Sequence, residues 1–498
     1  MIKNIIANFI GRFWSVLSNF LFIPLYIELL GFESYSLISF GLVIAGLMAV
    51  LDSGLTATLS RELARSDHSL TEKARTFKTL ESLYFIIASL AILIVITFSN
   101  LIANDWITSD SYTPTEVALF IKILSFDIGF QLLIRFYLGG FIGLEQQVKS
   151  NLLQMSWGIA RNGLVVLTLL ITPSLKLFFI WQAASTVIFV ILSGLLLRKE
   201  INGKYFSGII KIENQVLKRI WKFAGGMLLI SLVAALNTQM DKLAISKLLP
   251  IESLGYYTLA VSLSMGILIV VNPISIAILP RLTSYFTSNL LSEAEILFNK
   301  THIIVTLLVF SLMTNIFNFS YELIWLWTGK NELALESHFL LKVISIGVSF
   351  LALQIIPFNI AIANGYTKLN NIMGIISLVL TLPGYWLMTA HYGAIGAAYV
   401  YCIVQVTITL LFIYFINKKF FANNNLKSIF LKPIILPLFI TLIIGYLFSF
   451  IPDFIRLNRF YALIWIGFSI IMTFIVTTLM LIPRAEIRIL SKQLKFIK

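Results

Sequence analysis

Residues 29–40 read LLGFESYSLISF, and residues 248–259 read LLPIESLGYYTL. The second stretch repeats the first at an offset of 219: a Leu-Leu pair, a turn residue, an apolar residue, then Glu-Ser. Two other landmarks keep almost the same offset. Asn151 maps onto Asn371, and Arg198-Lys199 maps onto Lys418-Lys419, each at 220. One copy of the unit holds six long apolar stretches. Six is even, so both copies start from the same side of a membrane, which gives parallel repeats related by an axis along the membrane normal.

The membrane follows from composition. Of 498 residues, 58% are hydrophobic and 12% charged, with a mean hydropathy of +0.92. Soluble domains run about 45–50% apolar and about 25% charged, so a soluble enzyme and a disordered scaffold are both excluded. A helix crosses the hydrocarbon core in about 20 residues. Apolar runs of that length are expected at 5–30, 36–60, 80–103, 116–143, 151–171, 177–197, 223–249, 255–280, 301–326, 336–363, 371–390, 394–416, 433–450 and 460–482. The expected fold is an all-α integral membrane protein of about fourteen transmembrane helices. Two parallel six-helix repeats surround a central cleft, and two helices are extra. The expected division is 1–200 for the first six-helix bundle, 201–222 for a cytoplasmic linker, 223–420 for the second bundle and 421–498 for the additional helices and a cytoplasmic tail. The opening MIKNIIANFIGRFW has no small-residue cleavage site and reads as a retained first helix. The single cysteine, Cys402, excludes an intrachain disulfide.

Charge placement sets orientation. With a cytoplasmic amino terminus, 26 of the 37 Lys and Arg fall in cytoplasmic segments, four in outside loops and seven within spans. The positive-inside rule then puts both termini in the cytoplasm. The longest outside loop, about 104–115, carries Asp105 and Asp110 with Trp106 and Tyr112 suited to the interface, and no loop is large enough to house a domain.

Of the seven intramembrane cations, Lys122, Lys247 and Lys342 stand near outer ends and can snorkel. Arg12, Arg135 and Arg161 lie deeper, and three such residues facing lipid would cost on the order of 8–10 kcal/mol. Polar residues recur beside them at helical spacing: Asn8, Ser15 and Asn19 with Arg12; Asp127 and Gln131 with Arg135; Gln154 and Thr168 with Arg161. Asp52, Thr56 and Ser60 form a further stripe, as do Asn237 with Asp241, Thr238 with Lys242, and Asn315 with Asn318 and Glu322. The expected reading is a hydrated cationic cleft for an anionic group such as a pyrophosphate. The competing reading makes these groups interhelical ion pairs. Asp127, Asp241 and Glu322 are the candidates for ion coupling. The histidines are scattered, and neither a Walker loop nor an HExxH motif is present, so no metal and no cofactor are expected. Gly139 and Gly143 read as a helix-packing pair.

NTQMDKLAISKLLPIESLGYYTLA, residues 237–260, resembles the seventh and eighth helices of bacterial polysaccharide flippases, where an Asp and a basic residue precede a short turn. NPISIAILPRLT from Asn272, ANGYTKLNNIMG from Ala363, YGAIGAAYVY from Tyr392 and LDSGLTATLSREL from Leu51 resemble later and earlier helices of that family, in order, across about the first 420 residues. The resemblance implies a flippase of the multidrug, oligosaccharidyl-lipid and polysaccharide exporter superfamily, of the O-antigen or capsule type. Such a protein moves an undecaprenyl-pyrophosphate-linked repeat unit to the outer leaflet of the cytoplasmic membrane, driven by an ion gradient. It implies roles in the cleft for Arg12, Arg135, Arg161, Asp241 and Lys242; Asn8, Asn19 and Gln131 join the expected cleft through the helix faces they share with these arginines. The implied partners are the lipid-linked oligosaccharide, membrane lipids and a polysaccharide polymerase with its assembly machinery; nucleic acid is not among them. The alternatives are a lipid II flippase, a multidrug or cation antiporter with a carboxylate-dominated cleft, and a membrane-bound polysaccharide polymerase.

The orientation is checked by thiol labelling of intact cells. Asn202→Cys, Asn424→Cys and Lys495→Cys are expected to be shielded from an impermeant reagent, and Ser109→Cys and Asn458→Cys to be labelled. Labelling at residue 202 from outside would overturn the repeat parity.

Overall fold

The computed structural model describes residues 18, 20–52, 54–67, 69–201, 212–421, 425–450 and 458–482. Asn8, Arg12 and Asn19 lie outside these residues. Among the described residues every element is helical. The first part of the chain comprises α1 (Phe20–Leu30), α2 (Phe32–Met48), α3 (Leu55–Ala64), α4 (Leu70–Leu101), α5 (Pro114–Gly143), α6 (Gln147–Gly158), α7 (Leu164–Ile171), α8 (Leu175–Glu200) and α9 (Asn214–Leu248). After them come α10 (Ile251–Ser264), α11 (Gly266–Thr287), α12 (Leu291–Asn318), α13 (Ser320–Thr328), α14 (Asn331–Ala363), α15 (Thr367–Tyr392), α16 (Ala394–Phe420), α17 (Leu436–Phe448) and α18 (Arg459–Leu481). Among the described residues, twelve helical segments are long and apolar enough to cross a membrane. The eleven-residue α1 and the 35-residue α9 stand at the positions of the first and seventh expected spans.

Contacts divide the chain into two compact units, Met1–Gly255 and Tyr256–Lys498, with the boundary inside α10. α9, expected from sequence to open the second bundle, packs against α2 and α3 of the first unit.

Several expected spans are interrupted. The span at 36–60 is interrupted between Asp52 and Leu55. A 3-10 turn, Ala49–Asp52, ends α2, Gly54 adopts φ 70°, and Asp52 Oδ1 accepts hydrogen bonds from the N–H and hydroxyl of Thr56 at 3.1 and 2.6 Å. This carboxylate satisfies donors in the first turn of α3 that have no intrahelical partner. The span at 301–326 breaks at Phe319, so Asn315 and Glu322 stand on different helices. The span at 151–171 contains a π turn, Ile159–Gly163, and a longer π segment, Lys427–Ile435, leads into α17. Ser69 with Glu72 and Thr113 with Glu116 form capping boxes that start α4 and α5, the latter with Pro114 in the first turn.

α5 is the axis of the first unit and packs on α3, α4 and α8. The Gly139 and Gly143 spacing serves this contact: a Cβ at either would overlap Thr56 or Ser60 of α3. Tyr84, Phe136, Tyr137 and Phe141 are almost wholly buried beside it, with the Tyr84 and Phe136 rings 4.4 Å apart. Tyr137 donates to the buried carboxylate of Glu81 at 2.8 Å, which also accepts from Arg198 at 2.7 Å.

At one end of this unit Glu33, at the start of α2, sits in the loop joining α4 to α5. Its oxygens accept from Ser109 Oγ (2.5 Å) and from the N–H groups of Asp110 (2.8 Å) and Ser111 (3.0 Å). Trp106 donates to Ser246 of α9 at 3.1 Å, Lys247 bonds the Asp105 carbonyl, and the N–H of Ile251 donates to the Thr108 carbonyl at 3.0 Å. The interfacial loop is therefore tied to both α2 and α9.

In the second unit α14 packs against α11, α12 and α16. α17 and α18 pack on α12. Asn315, fully buried, accepts from Ser469 and donates to Thr473 at 3.3 Å, both on α18. Interhelical bonds of this kind contribute about 1 kcal/mol in a bilayer, where apolar side chains gain nothing by leaving lipid. Gly445 of α17 lets the chain approach Thr314 of α12.

A Cβ at Gly445 would overlap Thr314 Cγ2, whereas one at Gly467 meets nothing within 4 Å. Gly445→Ala is expected to destabilise the purified protein by about 1–3 kcal/mol, the usual cost of overpacking. Gly467→Ala is expected to be neutral or slightly stabilising in the same thermal melt.

Candidate functional site

Asp127 lies 16 residues before the end of α5, about 24 Å at 1.5 Å per residue, and is fully buried. Its two oxygens accept from three side chains. Gln131, one turn along the same helix, donates to Oδ2 at 2.9 Å. Thr186 of α8 donates to Oδ1 at 2.6 Å. Arg161 donates to Oδ2 at 2.7 Å from the π turn between α6 and α7. Arg161 is thus the ion-pair partner of Asp127 and is itself partly buried, its side chain 16% exposed. Its guanidinium also stands 5.6 Å from the Trp157 ring, whose N–H donates to Thr186 at 3.3 Å.

The π turn explains how the arginine is held. Widening the helix by one residue leaves backbone carbonyls without their usual α-helical donors. Three side chains supply replacements: Trp181 to Ala160 at 2.9 Å, Gln182 to Arg161 at 3.0 Å and Tyr26 to Asn162 at 2.7 Å. Buried carbonyls need such partners, so α1 and α8 clamp the turn from two sides.

Arg135 behaves differently. It sits eight residues before Gly143, about 12 Å from the helix end, and is exposed. Its electrostatic neighbours are Asp52, Arg161 and Asp127. These four groups, two carboxylates and two guanidinia, are charge-balanced among themselves. An exposed guanidinium at this depth faces water or ligand, since lipid contact would cost about 2.5–3.5 kcal/mol.

The remaining candidates separate. Lys242 donates to both Asp241 oxygens at 3.1 Å and to the Thr238 carbonyl at 2.8 Å, all on α9. Asn315 belongs to the α12–α18 contact, and Thr168 bonds the Val165 carbonyl of its own helix. Gln154 is exposed. Glu322 lines a cavity in the second unit, with Lys342. Among the described residues no group of three or more His, Cys, Asp and Glu could hold a metal. Two carboxylates with several partners, Glu33 and Glu81, were not singled out from sequence. For Glu33 a signal existed, because the Glu of the repeated Glu-Ser is the residue that engages the loop.

The fold is that of membrane transporters. It is similar to the structure described as "Lipid II flippase MurJ, inward closed conformation", with a TM-score of 0.71 at 17% identity, covering 96% of this chain and 98% of that one. It is also similar to an inward-facing multidrug resistance MATE family transporter of the MOP superfamily, with a TM-score of 0.66 at 13% identity over 82% of this chain and 94% of that one. In sequence the chain is 22% identical over 371 residues to a Shigella flexneri protein described as "Putative O-antigen transporter", covering 74% of this chain and 86% of that protein. The polysaccharide biosynthesis protein family matches residues 1–286, and the chain belongs to that family. It is a multi-pass membrane protein.

Removing Arg161 leaves Asp127 charged and buried, a loss of about 3–5 kcal/mol. Arg161→Gln is therefore expected to fail to accumulate in the membrane, and the double variant Asp127→Asn with Arg161→Gln to recover much of the abundance. Arg135→Gln should accumulate normally. Equal abundance of all three would show that the ion pair contributes nothing to folding.

Proposed function

We propose that the protein is a flippase that moves an undecaprenyl-pyrophosphate-linked oligosaccharide from the inner to the outer leaflet of the bacterial cytoplasmic membrane, supplying O-antigen or capsule assembly. Family membership supports a role in polysaccharide synthesis, and the transporter fold supports relocation of the substrate. The observation that carries the reading is the exposed Arg135 on α5, deep in a membrane-spanning helix. A guanidinium offers a fixed fork of donors to phosphate oxygens, and the position about 12 Å within the helix is reachable by a headgroup entering from the cytoplasmic leaflet.

In this reading transport proceeds by alternating access coupled to an ion gradient, with both termini cytoplasmic. Asp127 is the coupling group in the first unit. Proton binding there would remove the charge that holds Arg161 and loosen the contact between α5 and the π turn. Arg12 adds a second cation to the phosphate site. Lys242 and Asp241 neutralise one another on α9, and a polymerase with its assembly machinery takes up the product on the outer face.

Charge at residue 135 should matter more than shape. Arg135→Lys is expected to retain part of the surface glycan, Arg135→Gln to lose most of it, and Arg135→Glu to lose at least tenfold, all at unchanged membrane abundance. Normal surface glycan with Arg135→Glu would overturn the proposal.

A further inference from the structure

The second unit holds a cavity of about 520 Å³ where α12 ends and α14 begins. That volume lies in the range of small-molecule sites. Tyr321, Glu322 and Trp325 face it from α13, and Asn331, His338 and Lys342 from α14.

Local structure fixes these groups. α12 stops at Asn318, Phe319 is buried, and the nine-residue α13 ends at Gly329 in the left-handed region, φ 75°. Arg459 of α18 packs against Gly329 and donates to the carbonyls of Trp325 and Leu326 at 3.3 and 3.0 Å, so the last turn of α13 is capped from outside. His338 Nδ1 lies 2.7 Å from the Leu335 carbonyl; a carbonyl only accepts, so Nδ1 carries the hydrogen of this bond. The same imidazole stands edge-on to Tyr321, and the Lys342 ammonium lies 5.4 Å from the Phe317 ring.

The chemistry narrows the ligand. One carboxylate faces one ammonium, which does not favour a phosphate. Among the described residues no metal-binding cluster exists. What remains is a half-open cavity with two large aromatic rings and several groups able to bond hydroxyls. Aromatic faces cover C–H surfaces, while amide, carboxylate, imidazole and ammonium groups read hydroxyl positions. We infer that this cavity is a saccharide-binding site, taking a neutral sugar residue of the precursor on the outer side of the membrane. The side and the source of the sugar rest on the proposed function and its orientation; the ligand class rests on the cavity itself.

The probe is the water-soluble oligosaccharide released by mild acid from the lipid-linked pool of the same cells, measured by equilibrium dialysis against the purified full chain. Saturable binding is expected, weakened at least fivefold by Asn331→Ala and by Lys342→Gln and unchanged by Lys300→Gln, an exposed residue of α12. Asn331 is itself exposed at the start of its helix, so Asn331→Ala should fold and decides the matter if Lys342→Gln does not. Absence of binding, or binding indifferent to both substitutions, overturns the inference. A protein that relocates the lipid-linked glycan without binding the released sugar would refute the saccharide site alone. One that binds it in this pattern without relocating lipid would refute the flippase alone.

Discussion

Asp127 is the constraint around which the first unit is arranged. A carboxylate about 24 Å into a membrane helix is tolerable only if its charge is met and its lone pairs are occupied. Gln131 and Thr186 supply neutral donors and Arg161 supplies the charge. Each comes from a different direction, so α5, α8 and the π turn are fixed relative to one another by one side chain. The same low dielectric that strengthens these bonds makes any partial set costly, which gives the unit a specific arrangement where apolar packing alone would leave the helices free to slide.

Much of the architecture could be read from the sequence, because the solvent imposes it. Apolar runs, their spacing and the basic bias of one set of loops are consequences of the bilayer, and they led to the helical fold and the positions of its spans. The Gly139 and Gly143 pair and the Asp127–Gln131 contact were legible too, since both are four-residue spacings on one helix. The breaks were less visible. Asp52-Ser53-Gly54 carries turn residues, yet the apolar run continues through it, and the α12–α13 break at Phe319 has no Gly or Pro to announce it.

The site was the least legible part. Helical periodicity shows which residues share a face but not which faces meet. Arg161 and Asp127 are 34 residues apart, and Tyr26 reaches a carbonyl 136 residues away. Sequence therefore grouped Arg161 with Arg135 as like charges at depth, whereas packing paired one with Asp127 and left the other exposed. The stripe of Asn315, Asn318 and Glu322 dissolved for a similar reason: Asn315 holds α18 and Glu322 lines the cavity.

The π turn gives the polypeptide a length that matters in units of single residues. It holds one residue more than the helix needs, and three side chains from elsewhere are cut to fit that surplus. Deleting any one residue of Ile159–Gly163 would let the segment close into an uninterrupted α-helix with no loss of local hydrogen bonding. Because a π turn absorbs its extra residue within the turn, the helix beyond would keep nearly its face, but Trp181, Gln182 and Tyr26 would lose the carbonyls they reach. A one-residue gap here in a related sequence should therefore appear together with the loss of those three donors.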